Sequence, residues 1–209
     1  MSVFTVISSQ QAVAPVAPLV PQVFDEVPTS GRADRAMTLI LMLAQGTHDL
    51  ADSVLGLVGW DETARNLAIR ASVGFGMRVH IYVPHDAAVP RDFPEAVRIV
   101  SELDVVLRAS DFISLHGPHV AGQPAVMTAE RMNLMREDAC LINTSHCELV
   151  NELALTQALW FETIGGAGLD LSDRVEPVCA ALRDCDQLVS LDNGPAASTV
   201  HIFPAAQAR

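Results

Sequence analysis

The sequence is short of positive charge. Thirteen Lys and Arg stand against 25 Asp and Glu, for a formal net charge of −12 at pH 7. A surface of that sign repels phosphate arrays, which excludes nucleic acid and anionic membrane surfaces as partners. Long apolar runs are missing too, although half the residues are hydrophobic. The longest stretch, Met37–Ala44, contains Thr38 and falls far below the ~20 residues that span a bilayer. Cysteine is scarce. Cys140, Cys147, Cys179 and Cys185 form no C-x-x-C pair, so no metal site is expected, and they read as reduced cytosolic thiols. The N-terminus has no basic region and is broken by Pro15, Pro18 and Pro21, so no signal peptide is expected and the expected location is cytoplasmic. Neither a G-x-S-x-G elbow nor a P-loop is present.

What is there is one ordinary domain's worth of chain, able to bury roughly 70% of its unfolded surface without staples. Residues 1–30 are rich in Val, Ala and Pro and read as an extended arm, too apolar to be wholly solvated. Ala33–Gln45 (ADRAMTLILMLAQ) is apolar nearly all round, which predicts a helix buried on most faces and stopped by Gly46. From Val54 onward strands and helices alternate. The expected strands are Val54–Val58, Met77–Val83, Arg98–Val100, Phe112–His116, Ala139–Asn143, Gly166–Leu171 and, last, Leu188–Leu191. The expected helices between them are Glu62–Val73, Ser101–Ala109 with Ser101 as cap, Thr128–Met135 with Thr128 as cap, Glu152–Leu159 and Val178–Arg183. Apolar strands alternating with helices predict an α/β fold, a doubly wound, Rossmann-like parallel sheet over residues 31–200, followed by a tail at 201–209.

In such a sheet ligands sit at the carboxyl ends of the strands, first of all at the first strand-turn-helix. That turn reads Gly59-Trp60-Asp61-Glu62-Thr63-Ala64, or G-x-D-x-x-A where a dinucleotide site has G-x-G-x-x-G. Gly59 can make the tight turn, and Ala64 is an accepted residue where helix packs on strand. Asp61 replaces the glycine that lets the backbone approach a pyrophosphate. At ~4 Å and an effective dielectric of 20 its repulsion of a phosphate charge is roughly 4 kcal/mol, before solvent screening. As a helix cap it would instead place a carboxylate at the helix N-terminus and fill the anion site from within. Trp60 has two open readings, a cover over an empty groove or a surface for an adenine. The acidic residue that holds a ribose should end the second strand; Val83 stands there, with His85 and Asp86 nearby. His116 and His119 form an H-x-x-H too sparse for a metal site, and His146 beside Cys147 is not a working pair.

Several segments jointly resemble the cofactor domain of the D-2-hydroxyacid dehydrogenases. They are ADRAMTLILMLAQ, LGLVGW, GFGMRVHIYVPH, LRASDFISLHGP, TAERMNLMREDACLINTSHCELVNELAL and GGAGLDL, in the family's order, from about Val27 to about Ser198. The resemblance implies NAD or NADP as cofactor and a homodimer through the 33–45 helix. It also implies a chain essentially lacking the family's substrate domain, with Val23–Pro28 as a remnant. Gly59, Trp60, Asp61 and Thr63 would then line the pyrophosphate side, and Pro118, Thr144 and Asp170 the nicotinamide side. The family's substrate-binding arginine falls on His146, which cannot reproduce a bidentate fork, and its acid/base histidine falls on Asn193, which does not titrate. Its carboxylate falls near Asp173 or Glu176. These replacements point to a degenerate dehydrogenase acting as a binding or regulatory protein, with a protein partner. The alternatives are an active NAD(P)-dependent oxidoreductase on a 2-hydroxy or 2-keto acid, and a groove reused for a non-redox reaction.

Overall fold

The computed structural model describes residues 29–44, 48–83, 94–118, 122–172, 178–191 and 200–202. The apolar arm (residues 1–28), Gly46, His85, Asp86, His119, Asp173, Glu176 and Asn193 lie outside the described residues. The elements are α1 (Thr29–Leu43), β1 (Val54–Val58), α2 (Glu62–Ile69), β2 (Arg78–Tyr82), β3 (Val97–Val100), α3 (Leu103–Ala109), β4 (Phe112–Leu115), α4 (Ala129–Met132), β5 (Cys140–Asn143), α5 (Glu152–Trp160), β6 (Gly166–Asp170), α6 (Ala180–Arg183), β7 (Leu188–Leu191) and β8 (Val200–Ile202). One sheet runs in the order β3-β2-β1-β4-β5-β6-β7-β8. Strands β1 to β7 pair in parallel, and β8 is antiparallel to β7.

The apolar strands explain the layering. Every residue of β1, β4, β5 and β7 is buried, as a parallel sheet covered on both faces requires. One core lies under α1 and α2 and includes Leu39, Ile40, Leu57, Leu67, Ile81 and Ile142. The other lies under the remaining helices and includes Leu107, Ile113, Met127, Leu141, Leu155 and Leu182. Helix α1 sits close on β6, where a Cβ on Gly168 would come within 2.9 Å of Leu39 Cβ. Ala33, Ala36, Leu39 and Ile40 are fully buried, while Asp34, Thr38 and Leu41 form an exposed stripe.

Four expectations need correction. The first helix begins at Thr29, not Ala33. Ser101 does not cap α3; the cap position falls on Glu102, whose side chain makes no cap bond, because Ser101 stands one residue too early. The helix after Ala64 leaves α-geometry at Arg70 for a π turn through Gly74, where the Ser72 hydroxyl donates to the Ala68 carbonyl. Leu188–Leu191 is not the last strand: Val200–Ile202 follows, a three-residue edge strand too short to show periodicity. The Thr128 cap holds, its hydroxyl accepting from Arg131 N, but α4 tightens into 3₁₀-type turns after Met132. Among the described residues no helix is long and apolar enough to cross a membrane.

Candidate functional site at the carboxyl ends of the strands

Strand order reverses between β1 and β4, the switch point where doubly wound sheets hold ligands. The pairing register builds a row there. Val58 pairs with Leu115, Leu115 with Asn143, Asn143 with Leu169, and Asp170 with Leu191. One step beyond Val58, Leu115, Asn143 and Leu169 stand Gly59, His116, Thr144 and Asp170. The chain thus brings together four residues spread over more than half its length.

Gly59 is fixed by sterics. Its φ is 95°, and a Cβ would stand 2.0 Å from the His116 carbonyl oxygen. Its amide donates to Tyr82 O at 2.9 Å, so the turn is clamped between β2 and β4. Trp60 packs against the core beneath α1 and α2. Thr63 is buried, at 5% exposure.

Asp61 takes the cap position of α2. Its Oδ1 accepts from Ala64 N at 2.7 Å, and its Oδ2 accepts from Gly117 N at 3.2 Å. One carboxylate therefore bridges the helix N-terminus and the turn after β4, the two backbone elements flanking the switch point. Beside it lies His116, whose Nδ1 is 3.6 Å from Asp61 Oδ1. Burial pushes the His116 pKa down to about 4, against the opposing pull of Asp61, so the ring is neutral at pH 7. A neutral imidazole leaves the carboxylate uncompensated. The bridge occupies amides that a pyrophosphate would need and presents like charge to it. The turn departs from G-x-G-x-x-G at this position, with a carboxylate in place of the second glycine. Val83, beyond β2, is 8% exposed and belongs to the apolar core, so at that position there is no carboxylate for a ribose.

The other half of the row is better suited to a polar ligand. Thr144 Oγ1 and His116 Nε2 are buried without a hydrogen-bond partner. Asp170 is not free for a ligand, however. Its Oδ2 lies 2.7 Å from Arg35 Nε of α1, and its Oδ1 accepts from the Ser172 amide at 3.1 Å and hydroxyl at 2.6 Å. Arg35 has no local sequence signal, since its partner lies 135 residues on. His116 was legible as part of LHGP and of an H-x-x-H, not as a neighbour of Asp61. Pro118 is exposed next to Gly117. His146 is exposed at the cap of a 3₁₀ turn (Cys147–Leu149), its carbonyl held by Asn143 Nδ2 at 3.0 Å. Ser145 Oγ donates to Gly117 O at 3.2 Å, tying that loop to the turn after β4. Cys147 Sγ donates to its neighbour Glu148 at 3.3 Å. The space beside Asp170, bounded by Asn143, Cys147 and Leu155, measures about 20 Å³, room for a water molecule.

At the opposite edge His48, Asp111 and Asp138 cluster closely enough for a cation. Arg136 already supplies one, 3.0 Å from both Asp138 oxygens and 3.6 Å from Asp111 Oδ1.

Residues 32–193 match the family model of the D-isomer specific 2-hydroxyacid dehydrogenase NAD binding domain. The chain is 36% identical over 132 residues to a glycerate dehydrogenase of Methylorubrum extorquens, covering 62% of this chain and 38% of the relative. It is 33% identical over 154 residues to a hydroxypyruvate reductase of Thermotoga maritima, covering 74% and 47%. The chain therefore spans less than half the length of these relatives. Among solved structures, the TT0316 protein of Thermus thermophilus matches with a TM-score of 0.66 and 30% identity over 78% of this chain and 57% of that one. An NAD complex of a D-isomer specific 2-hydroxyacid dehydrogenase from Lactobacillus delbrueckii shares the fold, with a TM-score of 0.67 at 22% identity over 79% and 60%. The chain belongs to the D-isomer specific 2-hydroxyacid dehydrogenase family, through its NAD-binding domain.

Proposed function

We propose that this chain is a dehydrogenase-type domain turned to a binding or regulatory role, cytoplasmic and dimeric, with weakened or lost dinucleotide affinity. The observation that carries this reading is the Asp61 bridge. A single carboxylate accepts from Ala64 N and Gly117 N and closes the anion site at the α2 N-terminus. The buried Val83 and the exposed His146 in the arginine's place add to it. Dimerisation through the 33–45 helix is supported by the exposed Leu41 on α1 and by a groove of about 370 Å³ between α1 and the π turn, lined by Met37, Leu41 and Phe75.

A second reading keeps oxidoreductase activity with NAD or NADP on a 2-hydroxy or 2-keto acid. The relatives' names favour it, as do the unpartnered Thr144 Oγ1 and His116 Nε2 in the row. The test is a titration of NADH and NADPH into the full chain, read as energy transfer from Trp60 to the nicotinamide. Silence at millimolar nucleotide supports the first reading. Saturation at micromolar nucleotide overturns it and directs the search to a hydride-transfer substrate.

A further inference from the structure

Helix α5 carries an exposed apolar surface at its outward face and C-terminal corner. Along α5 and its C-terminal corner, Leu153, Trp160 and Phe161 are 69%, 63% and 79% exposed. They stand at i, i+7 and i+8, one stripe of the helix, with exposed Gln157 between them. The opposite face of α5, with Leu155 and Leu159, is buried in the core, so the stripe is outward-facing by construction. The corner is held rigid. Glu162 N donates to Leu159 O and Thr163 N to Ala158 O. Glu162 sits at φ 53°, the one non-glycine residue with positive φ among the described residues, in a conformation that helix ends usually leave to glycine. A strained, well-bonded corner that projects a phenyl ring into solvent is an arrangement that stability alone does not call for.

Beside the stripe runs a groove of about 230 Å³ between Trp160 and the α6–β7 connection, lined by Asp184, Cys185 and Asp186. Trp160 Nε1 donates to Ala181 O at 3.2 Å, which sets the indole as one wall. The rim is acidic, from exposed Glu162, Asp184 and Asp186. Arg183, the cation of α6, turns its guanidinium to the Val178 carbonyl. Exposed aromatic anchors next to a groove are the composition of interface hot spots, and an acidic rim selects a partner of opposite sign.

We propose that the α5 stripe and its groove form a docking site for a segment of another protein that combines apolar anchors with Arg or Lys. The apolar anchors meet Leu153, Trp160 and Phe161, and the cations meet Glu162, Asp184 and Asp186. The site lies away from the Asp61 turn, so it stands whether or not the row binds a dinucleotide.

The probe is an acetylated peptide of alternating Leu and Arg, with a twin in which every Arg is Glu. Both are titrated into the Trp60→Phe chain, where Trp160 is the remaining indole. The expected result is saturable change in Trp160 emission with the Arg peptide and none with the Glu twin. Phe161→Ser should weaken binding by roughly thirtyfold, the effect of losing a hot-spot anchor. Asp184→Asn with Asp186→Asn should weaken it severalfold and flatten its salt dependence. Both variants alter exposed side chains, and unchanged thermal melting verifies the fold. Equal binding of the two peptides, or of neither, overturns the proposal. So does a concentration-dependent mass in sedimentation that Phe161→Ser abolishes, because the occupant is then a second copy of the chain.

Discussion

Removing the Asp61 charge should open the α2 N-terminus to phosphate. The carboxylate is 37% exposed at its side chain, so solvent discounts the bare repulsion. A bare like-charge contact of roughly 4 kcal/mol at an effective dielectric of 20 becomes about 2 kcal/mol after screening. At 1.4 kcal/mol per decade that is roughly thirtyfold in affinity. Asp61→Gly also frees the Ala64 and Gly117 amides, whereas Asp61→Asn removes the charge and keeps an oxygen on them. Glycine is a tolerable cap, so the helix should lose only a few tenths of a kcal/mol. The lost bond to Gly117 N adds about 1 kcal/mol. NADH titration by energy transfer from Trp60, at low and high salt, reads the outcome. Asp61→Gly should bind more tightly than Asp61→Asn, and both more tightly than wild type, with the gaps narrowing as salt rises. If neither variant improves on wild type by at least about tenfold, the bridge is not what closes the site.

Other consequences follow from the same geometry. The His116 pKa is depressed to about 4 in the folded chain, below the ordinary 6.5, so the unfolded state takes up a proton first as pH falls. Stability should be complete above pH 6.5 and fall from there toward pH 4 by roughly 3 kcal/mol. Urea unfolding at pH 7 and pH 5 should show about 2 kcal/mol of that loss, and His116→Gln should remove most of it; an unchanged pH slope in the variant refutes the assignment. Gly59→Ala places a Cβ 2.0 Å from a backbone oxygen at φ 95°, and should cost more than about 3 kcal/mol, read as a lost or strongly lowered thermal transition. Arg35→Met strands a nearly buried Asp170, and should cost about 2 kcal/mol, less than a fully buried pair because Arg35 is 22% exposed. Adding Asp170→Asn should recover part of that loss, which a double-mutant cycle in urea would measure. Iodoacetamide should label exposed Cys147 and Cys179 in the native chain and buried Cys140 and Cys185 only after unfolding; in the folded chain Cys140 is protected twice, by burial and by a pKa that burial raises to about 12.

Much of this molecule was legible in one dimension. Short apolar runs bounded by Gly and polar residues matched β1 and β7 to the residue, because a parallel strand buried on both faces reads as a near-continuous apolar run that stops at its polar neighbours. Helix ends were less legible. The cap of α3 and the π turn after α2 depend on one-residue offsets that composition does not encode. Asp61 was readable as a cap because its partner, Ala64 N, is three residues away. Its second partner, Gly117 N, is 56 residues away and was not.

The same division runs through the site. Local sequence determined the fold class and the aspartate in the first strand-turn-helix, since each rests on residue type and pattern within a short stretch. Tertiary structure alone decided what those residues do. It set His116 beside Asp61 and kept the ring neutral by burial, tied Asp170 to Arg35, and left the α5 aromatics without cover. Each of these is a contact or an exposure fixed by how distant elements pack, and sequence spacing carries no distance between residues that meet only across the folded core.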